Sequence, residues 1–167
     1  MKAITLCFIA VALSSFVNTV KPQQLNKLVV HLDIVNPTVS KDDDLTLNVS
    51  VRSNWDKPIA KPYHFSWGLL NHGPKLAFFL LEIQKKQSAS FKVVDLRGVI
   101  DNFAPEITDT LRRNDSTRGQ GFNFFGHFTS KKGEYRVRVL CRFSALNPDV
   151  ADVYSNWVYF RCLKDIR

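Results

Sequence analysis

Catalytic and metal-binding signatures are missing from this chain of 167 residues. Its four histidines, His31, His64, His72 and His127, stand alone, without the i+2 or i+4 partner that lets two imidazoles reach one zinc ion. Only a site assembled from distant strands would hold a metal, and no cofactor is implied. No serine occupies a Gly–x–Ser–x–Gly turn, so the usual hydrolase nucleophile is excluded. Cysteine is scarce: Cys7, Cys141 and Cys162 are the three, too few for a disulfide-built scaffold. Beyond the N-terminus no apolar run approaches the roughly 20 residues needed to cross a bilayer, so no transmembrane segment is expected. Internal repeats, low-complexity tracts and amphipathic helical patterns are absent as well.

What is present begins with residues 1–20. A charged start, Met1-Lys2, leads into the apolar stretch Ala3–Leu13 and then into Ser14, Ser15, Asn18 and Thr19. This order is that of a secretory signal peptide, cleaved between Ser14 and Val20, with a short buried N-terminal helix as the alternative. Residues after Cys7 stay apolar, which argues against a lipoprotein tether. Residues 21–167 then form a single domain of a size that supports a real core, in a secreted or periplasmic protein. The formal charge of +8, less the one lysine of the leader, leaves +7. Such a balance suits contact with anionic glycans, nucleic acid or lipid surfaces, although solubility is the plainer reason for it; nothing points to sequence-specific nucleic-acid binding.

The strongest pattern lies in the last third. Gly133–Phe143 alternates apolar and basic residues, and Ser155–Cys162 alternates again, the period of half-buried strands. Lys27–Val35 places Leu28, Val30, Leu32 and Ile34 on one face, and Leu45–Val51 does the same with Leu45, Leu47, Val49 and Val51, so the two read as an antiparallel pair. Asn54–Gly68, with Pro58 and Pro62 among Trp55, Tyr63, Phe65 and Trp67, suits an edge strand or a crossover. Leu76–Ile83 is almost continuously apolar, as in a strand covered on both sides, with a short buried helix as the alternative, and Phe91–Asp95 and Gly121–Thr129 follow as shorter strands. About eight short strands between turn signals predict an all-β fold, a two-layer antiparallel β-sandwich. Between them, Arg97–Gln120 breaks the pattern. Its polar tip, Asn114–Gly119, is expected to be mobile, and Glu106–Leu111 to be pinned by Ile107 and Leu111.

Placing the last loop near Asn147–Val153 makes opposed positions sum to about 298, so that Cys141 faces Trp157 or Val158 and Cys162 faces Arg136. The sulfurs are then too far apart to bridge. Both cysteines read as small buried hydrophobes, with a Cys141–Cys162 disulfide as the alternative.

Gly133-Glu134-Tyr135-Arg136-Val137 resembles the start of the penultimate strand in immunoglobulin-like and fibronectin-type sandwiches, where a tyrosine bonds back to the chain at a corner. Asp44–Val51 followed by Lys57-Pro58 is similar to the non-catalytic sandwich domains of secreted metalloendopeptidases. The resemblance implies an immunoglobulin-like sandwich. It implies no protease activity, since the HExxH motif of the peptidase is not here, and the cysteine–tryptophan–cysteine spacing of antibody domains is also missing.

Candidate chemistry is sparse. Asp42-Asp43-Asp44 could offer oxygens to calcium, but a solvated turn explains it better. Glu106 and Asp109 are a carboxylate pair without a predicted apolar pocket. Cys141 lies mid-strand on the core face, where a thiol stays protonated. Asn48-Val49-Ser50 and Asn114-Asp115-Ser116 are glycosylation sequons. The outward positions of the last hairpin, Arg136, Arg138 and Arg142 on one strand with Trp157, Tyr159 and Arg161 on the other, interleave cations with aromatics and form the main candidate binding surface. Arg112, Arg113 and Arg118 in the long loop form a second. The expected function is that of an exported, non-enzymatic module that binds a protein or glycan. An accessory or inhibitory partner of a secreted hydrolase, and an enzyme with a site assembled from loops, are the alternatives.

Overall fold

The computed structural model describes residues 27–40, 45–62, 66–71, 77–94, 108–118, 122–123 and 131–165. Residues 1–20, expected to be a leader, the acids at 42–44, His64, His72, His127 and Glu106 lie outside the described residues. The strands in chain order are β1 (Leu28–Ile34), β2 (Thr38–Val39), β3 (Thr46–Ser53), β4 (Ile59–Pro62), β5 (Trp67–Leu69), β6 (Phe79–Gln87) and β7 (Ser90–Val93). They continue with β8 (Thr108–Leu111), β9 (Ser116–Arg118), β10 (Phe122–Asn123), β11 (Gly133–Cys141), β12 (Val153–Tyr154) and β13 (Val158–Cys162). A single 3₁₀ turn, Phe143–Ala145, is the one helical element among the described residues.

The strands form two main sheets. The smaller runs β1-β3-β10, with β9 also on β3; the larger runs β2-β13-β11-β6-β5, with β12 beside β11 and β7 beside β6; β4 and β8 make a separate ladder. All pairings are antiparallel except β2 with β13 and β5 with β6. Period-2 alternation explains the layering, because each strand sends alternate side chains inward. Leu28, Val30 and Leu32 of β1 and Leu47, Val49 and Val51 of β3 join Phe79, Leu81 and Ile83 of β6 and Val137, Val139 and Cys141 of β11 in one continuous core. The all-β sandwich expected from the sequence is therefore the fold.

Thirteen described strands replace the expected eight because the chain changes sheets within what read as single segments. Pro37 does end β1, but the chain then crosses to the larger sheet: Pro37 and Val39 carbonyls accept from Arg161 and Leu163 N–H at 2.8 and 2.9 Å, and Val39 is fully buried. Two asparagine side chains seal such crossings by copying a strand's hydrogen bonds. The carboxamide of Asn156 accepts from Leu32 N–H at 2.9 Å and donates to Leu32 C=O at 3.0 Å, covering the outer edge of β1. Asn147 treats Ala60 of β4 in the same way, at 2.8 Å in each direction.

Two expectations are corrected. The last hairpin pairs Gly133 with Cys162 and Val137 with Val158, and Cys141 with Val153 of β12, three to four positions from the register expected. The turn begins early, since Phe143 is buried within the 3₁₀ turn that directly follows β11. A sum of 298 would also have set inward Cys162 against outward Arg136, whereas opposed residues share a face. With Cys162 opposite Gly133, eight positions from Cys141, the sulfurs are roughly 26 Å apart at strand rise, and both residues are buried, unbridged thiols. The other correction concerns the polar tip. Ser116–Arg118 is strand β9, paired with β3, while Asn114 N–H donates to Ser53 C=O at 2.7 Å and Ser53 N–H to Asp115 C=O at 3.1 Å. Composition predicted mobility there because the side chains bury little, but the order comes from the backbone.

The expected tyrosine contact at the start of β11 is present. Tyr135 OH donates to Lys131 C=O, and Gly133 between them has φ of +151°, a conformation that favours glycine. Asp165 anchors the same corner, accepting from Lys132 N–H at 2.8 Å and from Lys131 Nζ at 3.0 Å.

Candidate functional site

Because β11 sends Tyr135, Val137, Val139 and Cys141 into the core, its Glu134, Arg136, Arg138 and Leu140 stand on the outer face of the larger sheet. Neighbouring strands add side chains of the same parity: Glu82, Gln84 and Lys86 from β6, Phe91 and Val93 from β7, Tyr154 from β12, Tyr159 and Arg161 from β13. The result is a stacked ladder. The Arg136 guanidinium lies 4.5 Å from the Phe91 ring and 4.3 Å from the Trp157 ring; that of Arg138 lies 4.5 Å from Trp157 and 3.9 Å from Tyr154. Contacts thus run Phe91, Arg136, Trp157, Arg138, Tyr154, and each cation–π contact contributes about 0.5–1 kcal/mol.

Hydrogen bonds fix the guanidinium planes from the β6 side. Arg136 donates from Nε and Nη2 to Gln84 Oε1 at 2.9 and 2.6 Å, and Arg138 Nε donates to Glu82 Oε2 at 2.8 Å. Gln84 Nε2 in turn donates to Glu82 Oε1 at 2.8 Å, so both carboxylate oxygens are engaged. Glu82 is nearly buried, and its pairing with Arg138 at 2.7 Å provides the partner that a charge in that position requires. At the end of the ladder Glu134 receives Lys86 at 2.7 Å and Arg161 at 2.5 Å, and these cations, Lys86 foremost, hold its carboxyl below the usual range. Around this frame, Val93, Tyr154 and Tyr159 remain 52%, 42% and 55% exposed.

Of the residues singled out in the sequence, Arg136, Arg138, Trp157 and Tyr159 come together here, and Arg161 joins through Glu134. Arg142 lies past the end of β11, and its side chain makes none of the ladder contacts. Arg112, Arg113 and Arg118 are elsewhere. Arg113 pairs with Asp56 at 2.6 Å, and Arg118 stands across from Ser50 on the outer face of the smaller sheet. The sequence reading missed Glu82, Gln84, Phe91, Tyr154 and Glu134. Glu82 and Gln84 mark every second position of β6, a signal masked by the apolar run in which Glu82 sits.

Two shallow hollows among the described residues lie away from the ladder. One, of about 290 Å³, is lined by His31, Asp33, Asn48, Val49, Ser50 and Arg118; the other, of about 340 Å³, by Lys27, Asn54, Trp55, Asp56, Arg113 and Asn114. The first sets a serine, a histidine and an aspartate on one surface, yet no hydrogen bond links the three among the described residues, and Asp33 Oδ1 accepts from its own neighbour, Ile34 N–H, at 2.8 Å. It lacks the oriented base that nucleophilic catalysis needs. Asp109 is held below the usual carboxylate range by Lys61, 2.7 Å away, and by Thr110 N–H, which suits an ion pair rather than proton transfer near neutral pH. Burial pushes the Cys141 thiol far above its ordinary value, away from nucleophilic use. Among the described residues no group of three His, Cys, Asp or Glu could hold a metal, and no helix is long and apolar enough to cross a membrane. No protein-family model matches the sequence and no curated protein matches it, so the functional reading rests on the geometry of this face.

Proposed function

We propose that the protein is an exported, non-enzymatic binding module of the immunoglobulin-like sandwich type, holding a protein or a glycan on the outer face of its larger sheet. The observation that carries this reading is the ladder with its exposed rim. Five stacked groups are locked by Gln84 and Glu82 into a rigid platform whose last member, Tyr154, stays partly exposed, and Tyr159 and Val93 stand exposed beside it. Rigid aromatic area bordered by arginine is the composition of binding hot spots, because it supplies contact at little cost in side-chain entropy. With Glu82 and Glu134 already engaged by cations, the face favours a partner that contributes flat apolar surface and hydrogen bonds over one that contributes only negative charge. The leader-like N-terminus supports export, and the Tyr135 corner supports the immunoglobulin-like assignment.

Immobilised protein is to be offered glycan arrays and cell-envelope extracts at physiological salt, beside a Tyr159→Ala variant. Retention of a defined macromolecule, weakened at least about tenfold in the variant while its unfolding free energy stays within about 0.5 kcal/mol of the parent, is the expected result. Retention of nothing, or equal retention by both proteins, would remove the proposal.

A further inference from the structure

We propose that Asn114 is an N-glycosylation site, with the first sugar seated against Trp55. The inference rests on the reading of the chain as exported. Asn114-Asp115-Ser116 has the acceptor pattern, with no proline at the middle position, and all three residues are exposed where the turn after β8 runs into the first residue of β9. Asn114 has φ of +67°, a left-handed conformation that asparagine tolerates better than most residues, so the turn itself explains an asparagine but not the serine two positions on.

The decisive contrast is among asparagines. Asn147 and Asn156 use both ends of their carboxamides to clasp backbone, and a sugar on either would break those bonds. Asn48 is half-buried within β3, opposite Asp33. At Asn114 the fold uses the backbone alone: N–H donates to Ser53 C=O at 2.7 Å, and none of the hydrogen bonds among the described residues involves its carboxamide. Asp115 is occupied inside the turn, its Oδ2 accepting from Arg112 N–H at 2.8 Å. Replacing a proton on Asn114 Nδ2 therefore costs the fold no described contact.

The surroundings supply a seat. Asn114 shares the hollow of about 340 Å³ with Trp55 and Arg113, and Lys27 lies 4.3 Å over the Trp55 ring. An indole beside hydrogen-bonding groups suits the C–H face and hydroxyls of an N-acetylhexosamine. The transfer balances with a lipid-diphosphate-linked oligosaccharide as donor. Nδ2 forms a bond to the sugar C1, the bond from C1 to the diphosphate oxygen breaks with its electron pair leaving on the lipid diphosphate, and one Nδ2 proton passes to base. The elements that flank the site contribute nothing to the ladder, so the glycan leaves that face clear.

The test uses the full chain carrying Asn48→Gln, produced in mammalian secretory cells with its own N-terminus and, in parallel, behind a proven cleavable leader. Intact mass is read on total cell and medium protein before and after peptide-N-glycosidase. One glycan increment is expected, released by the glycosidase with conversion of residue 114 to aspartate, and lost when Asn114→Gln is added. If the version with the proven leader carries no increment, or keeps it in Asn114→Gln, the inference falls. If that version is glycosylated while the chain with its own N-terminus is not, the site stands and the export reading fails.

Discussion

Tyr135 shows how much one side chain can tie together. Its ring is buried and stacks on Phe160 of β13 at 5.2 Å, while its hydroxyl holds the corner through Lys131 C=O. Burial, the largest cause, raises its pKa to about 12. Below pH 10 the folded and unfolded chains both keep the phenolic proton; between about 10 and 12 the unfolded chain loses it first. This residue's contribution is therefore complete below pH 10 and falls by up to about 2.7 kcal/mol across that window. Tyr135→Phe is expected to lose about 1–2 kcal/mol at neutral pH, since a carbonyl loses its donor, and to show a shallower alkaline decline than the parent. Urea midpoints measured from pH 8 to 11.5 check this; parallel curves for the two proteins would contradict it.

At the scale of elements, the informative region is where two segments run alongside each other and change partners together. β9 pairs with β3, and β8 with β4, while between them Ser53 exchanges hydrogen bonds with Asn114 and Asp115. Cleavage after Arg112 or Arg113 requires this pairing to open, since a protease needs an extended, unpaired stretch. Trypsin is expected to cut the native protein there slowly, and to cut a Thr117→Pro variant at least about tenfold faster, as the ring disrupts β9; tenfold corresponds to about 1.4 kcal/mol of easier opening. Equal, rapid cutting of both would mean that the turn is not held. The same region shows what was legible in the sequence. Alternation identified β1, β3, β11 and β13 and the outward positions of Arg136, Arg138, Trp157 and Tyr159, because period 2 is a property of each strand alone. The partners Glu82, Gln84, Phe91 and Tyr154 come from three other strands, and which strand lies beside which is a tertiary choice that no local pattern records. Changes of sheet at Pro37 and near Ser53 were hidden for the same reason, and the hairpin register was hidden by the buried Phe143 turn.

For the molecule as a whole, Cys141 and Cys162 act as reporters of global opening. Both are at most 1% exposed, on strands at the centre of the larger sheet. Neither thiol is expected to react with a maleimide faster than the protein globally unfolds, and the labelling rate should fall in step with measured stability; fast labelling of the native state would show that the core opens locally. The β2–β13 pairing has a different kind of consequence. These strands are parallel, Thr38 opposite Arg161 and Val39 opposite Cys162, and they join the first part of the described chain to the last. Tension applied between residues 36 and 165 draws the two strands past each other along their length, so the bonds from Arg161 to Pro37 and from Leu163 to Val39 are strained together rather than one after another. Rupture under force is governed by the unfolding barrier, and a clamp loaded in shear raises that barrier, giving a seam that resists stretching between those two points more than equilibrium stability suggests.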